Sequence, residues 1–268
     1  MAARGLEPFY LTATLGSTDV CAVDDLDGIA AALAPRAATP RDVWVHVDAA
    51  YAGAALVLDE HRPLADAAGR FRSFNFNPHK WLFTTFDCSA LFVRRRDDLI
   101  EALSVQPPYL RNAASDAGAV VDFRDWQIAL GRRFRSLKLW AVLRAFGARA
   151  LRDHVRLGIR LAEALEARLR ARSDLFAVFT PARFALVTLR LRADADDRPG
   201  RRTQRLHRDL DARGDFFLTA TVVDGRFAIR VCTAGAAVRD EHVQSLFEQL
   251  VERAEAVLAA PDDDDAAP

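Results

Sequence analysis

Lysine is nearly absent from this 268-residue sequence: of its 37 basic residues only two, Lys80 and Lys138, are lysine. Net charge is missing too, because 37 acidic residues balance the basic ones. No electrostatic footprint for nucleic acid or an anionic membrane surface results, and a small neutral or zwitterionic partner suits the chain at least as well. Cysteine is scarce and dispersed, as Cys21, Cys88 and Cys232 with no CxxC pair, which argues against a disulfide framework or a zinc site and points to a reducing, cytoplasmic compartment. No apolar run reaches the roughly 20 residues of a membrane span, and Met1-Ala2-Ala3-Arg4-Gly5 lacks the apolar stretch of a secretory signal, so a soluble chain is expected. A Walker or dinucleotide glycine loop and a GxSxG elbow are also lacking, which leaves nucleotide-binding and hydrolase readings unsupported.

What is present is a chain with 51% apolar residues, enough for one large domain or a domain and a smaller companion. Short β-rich runs at residues 9–14, 43–47, 74–76 and 88–93 alternate with helical segments such as 23–34, which Pro35 closes. This rhythm predicts an α/β layer with a mostly parallel sheet. Residues 104–118, rich in Pro, Ala, Asn and Asp, read as a long loop of the kind kept for function or disorder. Helices are expected at 132–146 and 151–172, the second with Leu157, Leu161, Leu165 and Leu169 on one stripe that reads as packing. Further strands are expected at 176–179, 185–191, 216–219 and 227–231, with helices at 203–213 and 240–258. The resulting division is a larger unit over residues 1–150, a small α+β unit over 151–260 and an acidic tail over 261–268.

The scarcity of lysine gives the two survivors weight. Arginine stays protonated, whereas lysine in a desolvated site can lose its proton and attack a carbonyl to form an imine. Lys80 sits in Ser73-Phe74-Asn75-Phe76-Asn77-Pro78-His79-Lys80-Trp81, a polar cluster directly after a strand, followed by aromatic and aliphatic residues able to bury the amine. A solvent-facing lysine and a hydrogen-bonded structural histidine are the plainer alternatives. Asp48 ends an apolar strand, at the carboxyl edge where open α/β sheets place ligands. There it can hold a proton on a heteroaromatic nitrogen, or simply cap the next turn or pair with an arginine. Arg132-Arg133-Phe134-Arg135 is a weak hint of a nucleic-acid patch and is set aside on the neutral charge.

His46-Val47-Asp48-Ala49-Ala50-Tyr51-Ala52-Gly53, then Asn75-Phe76-Asn77-Pro78-His79-Lys80-Trp81, Phe86-Asp87-Cys88-Ser89, Trp126-Gln127-Ile128 and Gly131-Arg132-Arg133-Phe134-Arg135-Ser136-Leu137-Lys138, taken in this order, closely resemble the group II pyridoxal-phosphate-dependent decarboxylases, especially the aromatic-L-amino-acid decarboxylases. The similarity extends from about Pro8 to the final helix. It implies the fold of a type I pyridoxal-phosphate enzyme, as part of a large domain plus a small C-terminal domain. It also implies pyridoxal 5'-phosphate as cofactor, a homodimer, and decarboxylation of an L-amino acid, with an aromatic one favoured. Lys80 matches the Schiff-base lysine and Asp48 the carboxylate that keeps the pyridine nitrogen protonated. His79 and Asn77 match positions beside the cofactor and its phosphate, and Thr18 and Ala50 positions that line the ring. Tyr109 falls in the mobile catalytic loop, where a tyrosine donates the proton that replaces the lost carboxylate. Phenylalanine at that position goes with aldehyde formation in some relatives.

The resemblance begins in the middle of the family's large domain, so the N-terminal helices, the ring-stacking histidine and one phosphate loop have no counterpart among these residues. Two expectations follow. One is a decarboxylase acting on an aromatic amino acid; the other is a non-catalytic remnant that at most dimerises or binds a partner.

Overall fold

Alternation in Trp44-Val45-His46-Val47-Asp48 sends the valines to one face of a strand and Trp44, His46 and Asp48 to the other. The computed structural model has this division, with both valines buried and the other three residues half-buried. It describes residues 5–36, 42–105, 113–117, 119–194 and 199–260. The acidic tail and most of the expected catalytic loop, Tyr109 included, lie outside the described residues.

The elements run β1 (Tyr10–Thr14), α1 (Leu26–Leu33), β2 (Trp44–Asp48), α2 (Arg62–Ala68), β3 (Ser73–Phe76), α3 (Pro78–Trp81), β4 (Ala90–Val93), α4 (Arg96–Leu103), α5 (Ala113–Asp116), α6 (Ser136–Ala171), β5 (Phe176–Arg183), β6 (Leu186–Leu191), α7 (Arg201–Arg213), β7 (Thr219–Val223), β8 (Arg226–Cys232) and α8 (Asp240–Ala259), with 3-10 turns between some of them. The first sheet has the order β1-β2-β3-β4. β1, β2 and β3 are parallel, each pair joined by a helical crossover as parallel strands require, and β4 returns antiparallel to β3. The second sheet, β5-β6-β8-β7, is antiparallel throughout.

Two clusters of buried apolar side chains hold these layers. The first gathers Ala13, Leu15, Val45, Val47, Trp81, Leu151 and Val155 around the parallel sheet. The second gathers Leu161, Leu165, Leu169, Leu189, Leu191, Leu206, Ile229 and Leu250 between the antiparallel sheet and its helices. α6 serves both, because its apolar stripe runs on past the end of the first sheet. Leu165 and Leu169 are fully buried, each contributing about 1.5–3 kcal/mol of transfer free energy.

The two helices expected at 132–146 and 151–172 meet end to end in α6, where Gly147 departs from helical geometry at φ 71°. Glycine alone adopts that region without strain. Two expectations are corrected. The strand expected at 216–219 lies later, at Thr219–Val223, because Asp224 and Gly225, with φ of 51° and 74°, form a two-residue hairpin turn that sets the register with β8. Helices α2 and α4 were not expected; both are short and begin without a side-chain cap, with only Pro63 at the start of α2 and Asp97 and Asp98 in the first turn of α4 to signal them.

α6 is tied to the crossover between β2 and β3 by Arg156, whose Nε and Nη2 donate to Glu60 Oε1 and Oε2 at 2.9 Å each. That guanidinium holds the Glu60 carboxyl down to about 2 from its ordinary 4.5. The pair's contribution is therefore complete above the unfolded value and is lost as pH falls through the folded one. Glu60→Gln should flatten the acid limb of the urea midpoint between about pH 5 and about pH 2. An unchanged acid limb would show that the pair carries none of it.

Candidate functional site

Three parallel strands point their carboxyl ends the same way, and the turns that leave those ends form the edge where such sheets receive ligands. After β1, Leu15 donates to the carbonyl of Asp48 at 2.8 Å, and Gly16 and Ser17 donate to the carbonyl of Ala22 at 2.8 and 3.0 Å. Gly16 has φ +86°, and a Cβ there would lie 2.6 Å from Cβ of Ala52; only glycine lets this turn close over the next crossover. The turn carries Thr18, which is exposed.

Asp48 ends β2, aligned with Thr14 of β1 and Asn75 of β3. Its Oδ1 accepts the amide of Ala50 at 3.0 Å. The carbonyl of Ala50 then accepts the amide of Asn77 at 2.9 Å, and the carbonyl of Asn77 accepts the amide of Lys80 at 2.9 Å. Three successive hydrogen bonds therefore lead from the Asp48 carboxylate through Ala50 and Asn77 to the main chain of Lys80. The fold brings Thr18, Asp48, Ala50, Asn77, His79 and Lys80 to one sheet edge.

α3 is a single turn whose N-terminus holds Pro78, preorganised for a helix start. It buries Trp81, which stacks on Tyr51 with ring centroids 5.1 Å apart and planes 5° from parallel. Burial pushes the Tyr51 phenol well above its ordinary value, with Cys232 adding to the effect, so it stays protonated and serves packing. Because Trp81 and Pro78 face the core, Lys80 between them faces out. The amine expected to be desolvated by its neighbours is exposed in this chain; the aromatic residue that follows it shields the core and leaves the amine in solvent.

His79 Nδ1 lies 3.0 Å from the amide nitrogen and 2.7 Å from the carbonyl oxygen of Cys88. It accepts from the one or donates to the other according to its tautomer. Its ring meets Phe86 edge-on at 5.0 Å. Asn77 Oδ1 is buried and has no hydrogen-bond partner among the described residues. A buried amide oxygen left unpaired is costly, and since the amide can be turned about, the position offers either a donor or an acceptor to a polar group arriving at the edge.

Sequence reasoning left several neighbours without a role. His46 lies on the same face of β2 as Asp48 and bonds Ser73 Oγ through Nδ1 at 2.8 Å and Asn75 Oδ1 through Nε2 at 2.9 Å, while Trp44 Nε1 donates to Ser73 Oγ at 2.8 Å. The period-2 pattern that placed Asp48 also placed His46; only the partner strand was missing from the reading. Arg133 and Arg135, set aside as a basic patch, both pair with Asp87. The hydrogen bond from Arg135 holds the Asp87 carboxyl below its usual range. Among the described residues no helix is long and apolar enough to cross a membrane.

Comparison with known proteins gives this edge a family. The pyridoxal-dependent decarboxylase conserved domain matches residues 1–192. Tryptophan decarboxylase 2 of Oryza sativa subsp. japonica is 42% identical over 258 residues, 95% of this chain and 50% of the relative. Phenylacetaldehyde synthase of Arabidopsis thaliana is 42% identical over 257 residues, 95% of this chain and 51% of the relative. Among solved structures, Oryza sativa TDC with PLP and tryptamine superposes with a TM-score of 0.88 at 38% identity, covering 95% of this chain and 52% of that one. The chain spans about half the length of the curated relatives it matches. Its fold is that of these pyridoxal-phosphate enzymes, with the mixed, mainly parallel sheet and the second antiparallel sheet found here. The chain belongs to the pyridoxal-dependent decarboxylase family.

Proposed function

We propose that the sheet edge built by Asp48, Ala50, Asn77, His79 and Lys80 holds pyridoxal 5'-phosphate and serves the decarboxylation of an aromatic L-amino acid to its amine and carbon dioxide. The observation that carries this reading is the run of three hydrogen bonds that joins the Asp48 carboxylate to the Lys80 main chain within one edge. The residues suit the group. Asp48 offers a carboxylate to a pyridinium nitrogen, Lys80 an accessible amine to an aldehyde, and the Asn77 amide, turned about to present its NH2, a donor to a phosphate oxygen. Thr18 and Ala50 would bound the ring. The cofactor, when bound, supplies an electron sink for the bond that breaks at the substrate's α-carbon.

In this reading Asp48 keeps a proton on the ring nitrogen, and its bond to the Ala50 amide fixes its direction. Lys80 would hold the cofactor through its amine at the aldehyde carbon, the place that the substrate's amino group would take over. Tyr109, outside the described residues, donates a proton to the carbon that has lost its carboxylate. The relatives are named for tryptophan and for phenylacetaldehyde formation, which supports an aromatic substrate, and tyrosine at position 109 favours amine over aldehyde. Three free cysteines, two of them buried, agree with a reducing cytoplasm.

A homodimer is part of the proposal. Leu137, Trp140, Leu143 and Phe146 of α6 are all about half-exposed, apolar surface that a second copy would cover. Sedimentation of the protein as a monomer at micromolar concentration would remove that part.

A second reading, a non-catalytic remnant, is favoured by the solvent exposure of Lys80 within this chain. One experiment separates the two. The purified protein is incubated with pyridoxal phosphate, reduced with borohydride and digested, and carbon dioxide release is followed with tryptophan, tyrosine and dopa. The cofactor's mass on the Lys80 peptide together with turnover of an aromatic substrate supports the enzyme. Neither signal leaves the remnant.

A further inference from the structure

Lys138, the other lysine of the sequence, has no part in the reading so far, and its position in the fold is unusual. It lies in the first turn of α6, at the positive end of the helix dipole, where a cation is disfavoured and where this helix has no acidic residue. Arg133 and Arg135 come just before it. With Arg132 these make four cations at a helix start, where nearby acceptors offset the crowded charge. Arg133 and Arg135 have Asp87, and Lys138 Nζ donates to the main-chain carbonyl of Thr85 at 2.7 Å.

Thr85 is the middle of the segment that returns from Lys80 to β4. Among the described residues no backbone–backbone hydrogen bond joins residues 83–87 to anything. Side chains of α6 and its approach hold this segment instead. Phe83 packs on Phe146 and His154, with centroids 4.6 and 4.2 Å away, Thr85 is held by Lys138, and Asp87 is held by the two arginines. The segment ends at Cys88, whose main chain grips the ring of His79, the residue before Lys80. Among the described residues Lys138 thus supplies the one hydrogen bond to the main chain of residues 83–87, and that segment sets where the Lys80 turn sits.

We propose that Lys138 is a positioning residue: through the Thr85 carbonyl it fixes the return segment, and through Cys88 and His79 it fixes the place of Lys80 at the edge. This rests on the reading of Lys80 as the cofactor's lysine.

The test uses the whole protein and the variants Lys138→Met and Lys138→Arg. Exchange of the two amides that flank the segment and have acceptors, Leu82 on the Pro78 carbonyl and Cys88 on His79 Nδ1, should be at least about 10-fold faster in K138M, as expected when the charged donor that holds the main chain between them is lost. Peptides from β5–β8 should be unchanged, which controls for global unfolding. K138R, retaining charge and a donor, should recover at least half of the lost protection.

Two labels then separate position from exposure at Lys80. Reductive methylation with formaldehyde needs only an accessible amine and should proceed equally in all three proteins. Half-saturation of pyridoxal phosphate capture at Lys80 needs the amine in place and should rise at least about fivefold in K138M, the scale of one modest contact. Unchanged exchange in K138M, or altered exchange with unchanged capture, overturns the proposal. Failure of pyridoxal phosphate to label Lys80 in the unaltered protein overturns instead the cofactor reading beneath it, and the exchange data then still decide whether Lys138 holds the segment.

Discussion

Replacement of Lys80 by alanine or by arginine is expected to reduce capture of pyridoxal phosphate at this position to background and to abolish carbon dioxide release, while leaving the fold intact. The arginine variant is the sharper of the two. It keeps the charge and much of the stem, but a guanidinium stays protonated and cannot attack an aldehyde. Because Lys80 is exposed and α3 is anchored by Pro78 and Trp81 on its other side, neither change removes buried surface, and the unfolding free energy should change by no more than about 0.5 kcal/mol, as is typical of surface positions. The chain has only one other lysine, Lys138, so the digested, borohydride-reduced protein offers few competing amines and the assignment by mass is direct. Retention of cofactor mass on the peptide spanning residues 73–94 of the alanine variant would defeat the assignment.

The second large effect is expected at Asp48. Asp48→Asn keeps an oxygen to accept the amide of Ala50, the 3.0 Å bond that orients the group, and removes only the charge. A neutral amide cannot hold a proton on a pyridine nitrogen, so the ring loses much of its capacity to draw electrons. Turnover should fall about 10²–10³-fold, the range seen when one preorganised electrostatic partner is removed, and the cofactor should bind more weakly. The KM for the amino acid should change far less than kcat, because the carboxylate acts on the cofactor rather than on the substrate. Turnover within threefold of the unaltered protein would mean that Asp48 only caps its turn, the plainer alternative considered from the sequence.

The two variants probe opposite ends of one short chain of hydrogen bonds, so their effects should not add. Asp48, Ala50, Asn77 and Lys80 are linked through consecutive acceptors and donors, and residues joined in this way act as a unit. A double variant should be no less active than Lys80→Ala alone, which is already at background.

Much of the first sheet was legible because β2 alternates cleanly and its crossovers are helical. The strand ending at Asp48 could therefore be placed, and with it the edge that receives Asn77 and Lys80. The break at Gly147 was legible as well, as the gap between two helical stretches. Less legible was the hairpin before β8. Its Asp224-Gly225 pair is a strong turn signal, but the apolar run Phe216-Phe217-Leu218 drew the expected strand upstream, and the hydrogen-bonded register decided otherwise. α2 and α4 escaped because both are short and uncapped, and Pro63 and the Asp97-Asp98 pair were weak marks of their first turns.

Local order along the chain determined the residue types of the site, their sequence and their placement after strands, since period-2 alternation and turn chemistry are properties of neighbouring residues. It determined nothing about which way Lys80 faces, because that depends on Trp81 finding Tyr51 across the sheet edge. Nor could it pair His46 with Ser73 and Asn75, leave the Asn77 oxygen without a partner, or carry Lys138 to the carbonyl of Thr85. Those facts arise between elements far apart in sequence, and only packing of α6 and the strands against one another brings the atoms within reach.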